Sequence, residues 1–178
     1  SAGRLDRLAM DLYLPLDNRT HSRPCFVYLH GGSFRRGTRR DAYVFRTCAE
    51  MAQRGYIAAA VSYRLREGSG AGIGSQSCGE DCQDAIDWLV GHSTSLRLDH
   101  TRIVVAGDSA GAAGAVYTAF GRGSNRPKPH PVRAIGSLWG WESTPVHANG
   151  TAVYVAHGES DRSVPWRLGR QLHLNAVQ

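Results

Sequence analysis

The sequence predicts an α/β fold: a mostly parallel central sheet with helices on both faces, a three-layer sandwich. Three observations predict it. Short apolar runs alternate almost strictly with helical patterns. The inner runs are apolar without polar alternation, as strands covered on both faces are. One of them, residues 103–106, passes straight into GDSAG at 107–111 and then into a helical pattern, a strand–turn–helix unit.

Taken in order, residues 8–14 alternate, with Leu8, Met10, Leu12 and Leu14 on one side, and Pro15 closes this half-buried strand. Residues 17–20 are a polar turn. Residues 25–29 (CFVYL) form a strand covered on both faces, ending at His30, Gly31, Gly32, Ser33 and Phe34. Phe45, Cys48, Ala49 and Ala52 recur at helical spacing over 41–54, with Gly55 as a stop. Residues 57–61 make the next strand. The glycine-rich stretch 68–74 satisfies no dinucleotide-binding register and reads as a flexible loop. Cys82, Ala85, Ile86 and Leu89 mark a helix, and another runs to Phe120 after the GDSAG segment. Residues 121–131 form a loop rich in proline, glycine and basic residues. Strands follow at 134–138 and 151–155. A last helix begins with Ser163 as cap and Pro165 in its first turn, with Leu168 and Leu172 at i,i+4.

A chain of 178 residues is read as one domain, 1–178. No run of about 18 apolar residues occurs, which excludes a transmembrane helix. The net charge is +6, 21 basic against 15 acidic side chains. Its densest cluster is Arg35, Arg36, Arg39 and Arg40. No nucleic-acid-binding module accompanies the charge, so it reads as a solvated basic surface. The four cysteines, Cys25, Cys48, Cys78 and Cys82, lack zinc spacing, so no metal site is expected. An even count permits two disulfides, which tilts the expectation toward export; buried free thiols compete equally.

Three segments end strands on one rim of the expected sheet: 30–34, Ser109 and 157–161. In open α/β sheets, sites lie beyond the carboxyl ends of strands. Their order and content resemble the α/β-hydrolase superfamily. Within it they are similar to the serine carboxylesterases, including the branch related to hormone-sensitive lipase. The pieces that carry the resemblance are LYLP at 12–15, HGGSF at 30–34, SYRL at 62–65, GDSAG at 107–111 and HGESD at 157–161. The resemblance implies an α/β-hydrolase fold and hydrolysis of small-molecule carboxylic esters, with no cofactor. Ser109 is then the nucleophile, a hydroxyl that needs an adjacent base. The backbone N–H groups of Gly31, Gly32 and Ala110 form the oxyanion hole, and each such donor is worth about 3 kcal/mol in the transition state. Ser33 departs from the third glycine common in the family. Asp161 is the acid that orients the catalytic imidazole; the alternative is an aspartate serving its own turn.

The family's base histidine follows the acid, after one further strand. His173 lies only twelve residues past Asp161, on the last helix, and His30 and His157 are structural in the family. The expectation is therefore a chain lacking the last strand and the histidine loop, either truncated or a shortened, inactive relative. A non-catalytic binding protein, a peptidase and a thioesterase are the alternative functions. Phe34, Trp139 and Trp141 line an acyl or alcohol pocket, or else belong to core or surface. The short 142–150 connection leaves little or no cap. Oligomeric state and substrate identity are not readable from the sequence.

Overall fold

The computed structural model describes residues 8–17, 22–65, 71–121, 132–147 and 149–177. Its strands are β1 (Met10–Tyr13), β2 (Arg23–Leu29), β3 (Ile57–Val61), β4 (Leu98–Asp108), β5 (Val132–Leu138) and β6 (Ala152–Ala156). Its helices are α1 (Ala42–Gln53), α2 (Ala71–Gly91), α3 (Ser93–Leu96), α4 (Ala110–Phe120) and α5 (Trp166–Ala176). The strands lie side by side as β1-β3-β2-β4-β5-β6. Only β1 is antiparallel to its neighbour, pairing Met10 with Val61. The other pairings are parallel, so the carboxyl ends of β2 to β6 share one rim. This is the mostly parallel, helix-covered sheet that the sequence predicts.

Alternate side chains explain the three layers. Cys25, Val27 and Leu29 of β2 pack with Ile86 and Leu89 of α2, Val116 of α4 and Leu172 of α5. Phe26 and Tyr28 of the same strand pack with Val44 and Cys48 of α1 on the opposite face. A period of two with both phases apolar is what a doubly covered strand requires.

Several expectations need correcting. The helix predicted around 82–89 begins at Ala71, so Gly74 lies inside α2 rather than in a loop. A Cβ on Gly74 would sit 2.5 Å from the Phe34 ring. The glycine therefore lets the helix pack onto that aromatic side chain. Residues 68–70 of the glycine-rich stretch, 18–20 of the polar turn and 122–131 of the basic loop lie outside the described residues. The buried face of α1 is Val44, Cys48 and Ala52, while Phe45 is exposed and meets Tyr13 edge-on. Ser163 does not cap α5, whose N-cap is Pro165. All four cysteines are free and buried. No helix among the described residues is long and apolar enough to cross a membrane.

Candidate active site

The site is built where β4 turns into α4. Ser109 is the hinge residue, with φ 50° and ψ −114°, a conformation costly for any L side chain. The turn is tight because α4 starts immediately and crosses the end of β2. A Cβ on Gly111 would lie 2.1 Å from the Leu29 carbonyl oxygen and 2.6 Å from that of His30; one on Gly107 would lie 2.7 Å from the Leu29 oxygen. Glycine at both positions is a condition of this approach, not a turn preference. Ala110 opens the helix, and its N–H, in the first turn, has no intrahelical partner.

Each neighbouring strand end is tied to this turn. The Ser109 N–H donates to the Leu138 carbonyl at 2.9 Å, and the Trp139 N–H donates to the Ala156 carbonyl at 2.7 Å. The exits of β2, β4, β5 and β6 thus lie side by side. Among the described residues, the non-glycine residues with positive φ are Ser33, Phe34, Arg97, Ser109 and Trp139. All but Arg97 sit on this rim, and such strain concentrates at functional sites.

The β2 exit turns sharply through Gly32, Ser33 and Phe34, at φ 119°, 58° and 62°. The Arg35 and Arg36 N–H groups close the turn on the Gly32 carbonyl at 3.0 and 3.1 Å. Among the described residues, the Gly32 N–H has no hydrogen-bond partner. The Gly31 N–H behaves differently from the sequence expectation. It donates to Oδ1 of Asp108 at 3.0 Å and lies 3.2 Å from the Tyr43 hydroxyl. A donor already spent on a buried carboxylate does not serve a substrate oxygen, so Gly31 drops out of the expected oxyanion set. Asp108 also accepts from the Tyr28 hydroxyl at 3.2 Å, and burial raises its pKa above the ordinary carboxylate value. Burial likewise pushes the Tyr43 hydroxyl up to about 12. Asp108, within GDSAG, has no assigned role at the level of sequence. Nothing in the spacing flagged it, because its partners lie 65 to 80 positions away.

His30 is structural. Its ring stacks on Tyr63 at 4.4 Å, the Tyr63 hydroxyl donates to the His30 carbonyl at 2.7 Å, and burial lowers the imidazole pKa. Phe34 is core, with its ring edge-on to Tyr63 and Trp141. Trp141 is half-buried, and Trp139 is 42% exposed at the rim.

Asp161 lies on the same rim, two strands over from Ser109. Two strand spacings are about 10 Å, so a carboxylate there needs an intervening group to act on the serine. Its Oδ1 accepts the Val164 and Ser163 N–H groups at 3.0 and 2.7 Å, and these bonds hold its pKa below the usual carboxylate value. Its Oδ2 lies 3.4 Å from Nε2 of His157. That nitrogen, however, is 2.8 Å from the Val164 carbonyl, and Nδ1, buried against α5 at Gly169, has no hydrogen-bond partner among the described residues. His157 therefore has no free edge to offer a serine. His173 is exposed on α5. The structure gathers Ser109, Gly32, Ala110 and Asp161 on one rim. Among the described residues no histidine bridges Asp161 to Ser109, and no cluster of metal-ligating side chains occurs.

Comparison with known proteins bears on the fold and the family. The structure is similar to esterase 2 of the planctomycete Thermogutta terrifontis with propionate bound, at TM-score 0.77 and 22% identity, covering 96% of this chain and 74% of that one. The form of that esterase phosphonylated by cyclosarin superposes equally well, at TM-score 0.77 and 22% identity, covering 96% and 73% of the two chains. In sequence, the chain is 32% identical over 124 residues to Lipase 2 of Moraxella sp. strain TA144, covering 69% of this chain and 25% of the lipase. It is 34% identical over 126 residues to the non-reducing polyketide synthase Preu3 of Preussia isomera, covering 66% of this chain and 5% of the synthase. The chain thus spans a quarter or less of the length of these two curated relatives. The family match runs over residues 10–128, well over half of the sequence, from β1 through the β2 exit turn and the Ser109 elbow. This chain belongs to the BD-FAE family.

Proposed function

We propose that this protein hydrolyses small carboxylic esters through an acyl-enzyme on Ser109. The observation that carries the reading is the strained Ser109 at the start of α4, one strand from the Gly32 turn. The serine oxygen attacks the ester carbon, and the carbonyl oxygen takes up negative charge. The Ala110 and Gly32 N–H groups meet that charge, helped by the positive end of α4. In this reading Asp161 orients an imidazole that takes the serine proton and passes it to the leaving alcohol as the ester C–O bond breaks, a base that no histidine among the described residues supplies. Water then repeats the attack with the same donors. The short connection from β5 to β6 carries no helix among its described residues, which leaves the site open and favours short or accessible esters. The Moraxella relative is a lipase, and the Thermogutta esterase is known with propionate bound, which agrees with ester chemistry.

The test is labelling with a fluorophosphonate, which phosphonylates an activated serine with loss of fluoride. Wild-type protein is expected to label at Ser109, and Ser109→Ala is expected to abolish the label. Persistent labelling of the variant overturns the assignment. A second reading, a hydrolase fold that binds without turning over, is favoured by one observation: the His157 edge that faces Asp161 is engaged by the Val164 carbonyl. A 4-nitrophenyl ester separates the two. Sustained nitrophenolate release supports the esterase, and no release beyond the background rate supports the binding protein.

A further inference from the structure

Asp108 sits beside the nucleophile, but its side chain turns inward and is 7% exposed. Its Oδ1 takes the Gly31 N–H at 3.0 Å and the Tyr28 hydroxyl at 3.2 Å. The Tyr43 hydroxyl stands 3.5 Å from Oδ2 and 3.2 Å from the Gly31 nitrogen. Oδ2 itself fills the place of a Gly31 side chain: a Cβ there would lie 2.2 Å from it. Gly31 is not in the left-handed region, so the carboxylate, not the backbone angle, demands glycine there. The left-handed run begins with the next residue, Gly32.

A buried carboxylate is a costly way to fill space, because desolvation works against it. An apolar side chain would pack the same gap. What only an acceptor provides is a fixed Gly31 peptide, and that peptide sets the direction of the Gly32 N–H. We infer that Asp108 is a positioning residue for hydrolysis at Ser109, pinning the Gly31 peptide so that the Gly32 N–H faces the oxygen of the attacked carbonyl. One side chain thereby links the elbow on β4 to the donor turn on β2. The nucleophile and the donor then keep their spacing when either segment moves. A shift of 1 Å in such a donor costs on the order of 10²-fold in rate, and loss of one donor about 10²- to 10³-fold.

The inference rests on the Ser109 reading, and the experiment separates the two. Rates of Ser109 phosphonylation by a fluorophosphonate are measured against probe concentration for wild type, Asp108→Asn, Asp108→Ala and Tyr43→Phe. Unfolding midpoints are recorded for each. The asparagine amide oxygen still accepts from Gly31, so Asp108→Asn is expected within about fivefold of wild type. Asp108→Ala is expected to lower the maximal rate roughly 10²-fold, the size of one donor misplaced, with the half-saturating probe concentration unchanged. A folded Asp108→Ala that labels at the wild-type rate overturns the inference, since a merely structural role moves only the midpoint. If the alanine variant does not fold, Asp108→Asn decides: a folded protein more than 50-fold slower than wild type overturns it. Failure of the Ser109 reading shows elsewhere, as wild type labelling no faster than Ser109→Ala.

Discussion

Glycine has two different tasks at this site, and only contacts tell them apart. At Gly111 the neighbour is backbone: the Leu29 carbonyl oxygen would stand 2.1 Å from an added Cβ, and carbonyls inside a sheet do not yield. At Gly31 the nearest neighbour is a side chain, the Asp108 carboxylate, held in place by its own hydrogen bonds. Gly111→Ala is therefore expected to destabilise the fold by about 3 kcal/mol, the upper part of the range for overpacking. The measurement is the urea midpoint, and a shift worth less than about 1 kcal/mol would mean that α4 can lift from β2 at little cost. Both glycines were legible in the sequence as parts of motifs. The sequence could not show that the Gly31 N–H is already spent. That depends on Asp108, Tyr28 and Tyr43 meeting through the fold, and no spacing rule brings them together.

At the level of elements, the strand ends must be held as firmly as the strands. The chain leaving β3 is anchored to α2 chiefly by one carboxylate, Asp81, with Glu80 beside it. Asp81 accepts the Arg64 N–H at 2.7 Å and the Arg64 Nε at 2.7 Å, and its side chain is 3% exposed. Those bonds raise the Arg64 pKa further. Next to Arg64, Tyr63 holds the His30 carbonyl at the start of the β2 exit turn, so the anchor supports the candidate site indirectly. Asp81→Ala is expected to cost about 2 kcal/mol, below the usual 3–5 kcal/mol for breaking a buried pair. The guanidinium remains 29% exposed and keeps Glu80 at 3.4 Å, which softens the loss. A double-mutant cycle with Arg64→Ala reads the coupling, and a coupling near zero would show that Asp81 acts alone. The sequence disclosed β3, whose apolar run needs no context. It hid the start of α2, because a glycine-rich segment reads as a loop until the Phe34 ring that occupies the missing Cβ space is seen.

For the molecule as a whole, the decisive property is a sheet buried on both sides, and it settles what the cysteines can do. Cys25, Cys78 and Cys82 belong to the core between the sheet and α2, whereas Cys48 lies under α1 on the other face. The sheet stands between Cys48 and the other three, and a disulfide needs Cα atoms within about 7 Å and Cβ vectors that do not point apart. Two disulfides within one chain are therefore excluded by topology, a conclusion that cysteine count alone could not reach. All four thiols are fully buried. Burial pushes Cys25, Cys48 and Cys82 up to about 12 and Cys78 well above its ordinary value, so at neutral pH almost none is the reactive thiolate. The native protein is expected to leave a thiol reagent such as 5,5′-dithiobis(2-nitrobenzoate) unreacted over minutes. In denaturant without reductant, all four thiols should titrate, one for each cysteine in the sequence. Two thiols in place of four would reveal one disulfide, necessarily among the three cysteines on the α2 side. Rapid reaction in the native state would show that the face against α1 or α2 opens far more often than its packing implies.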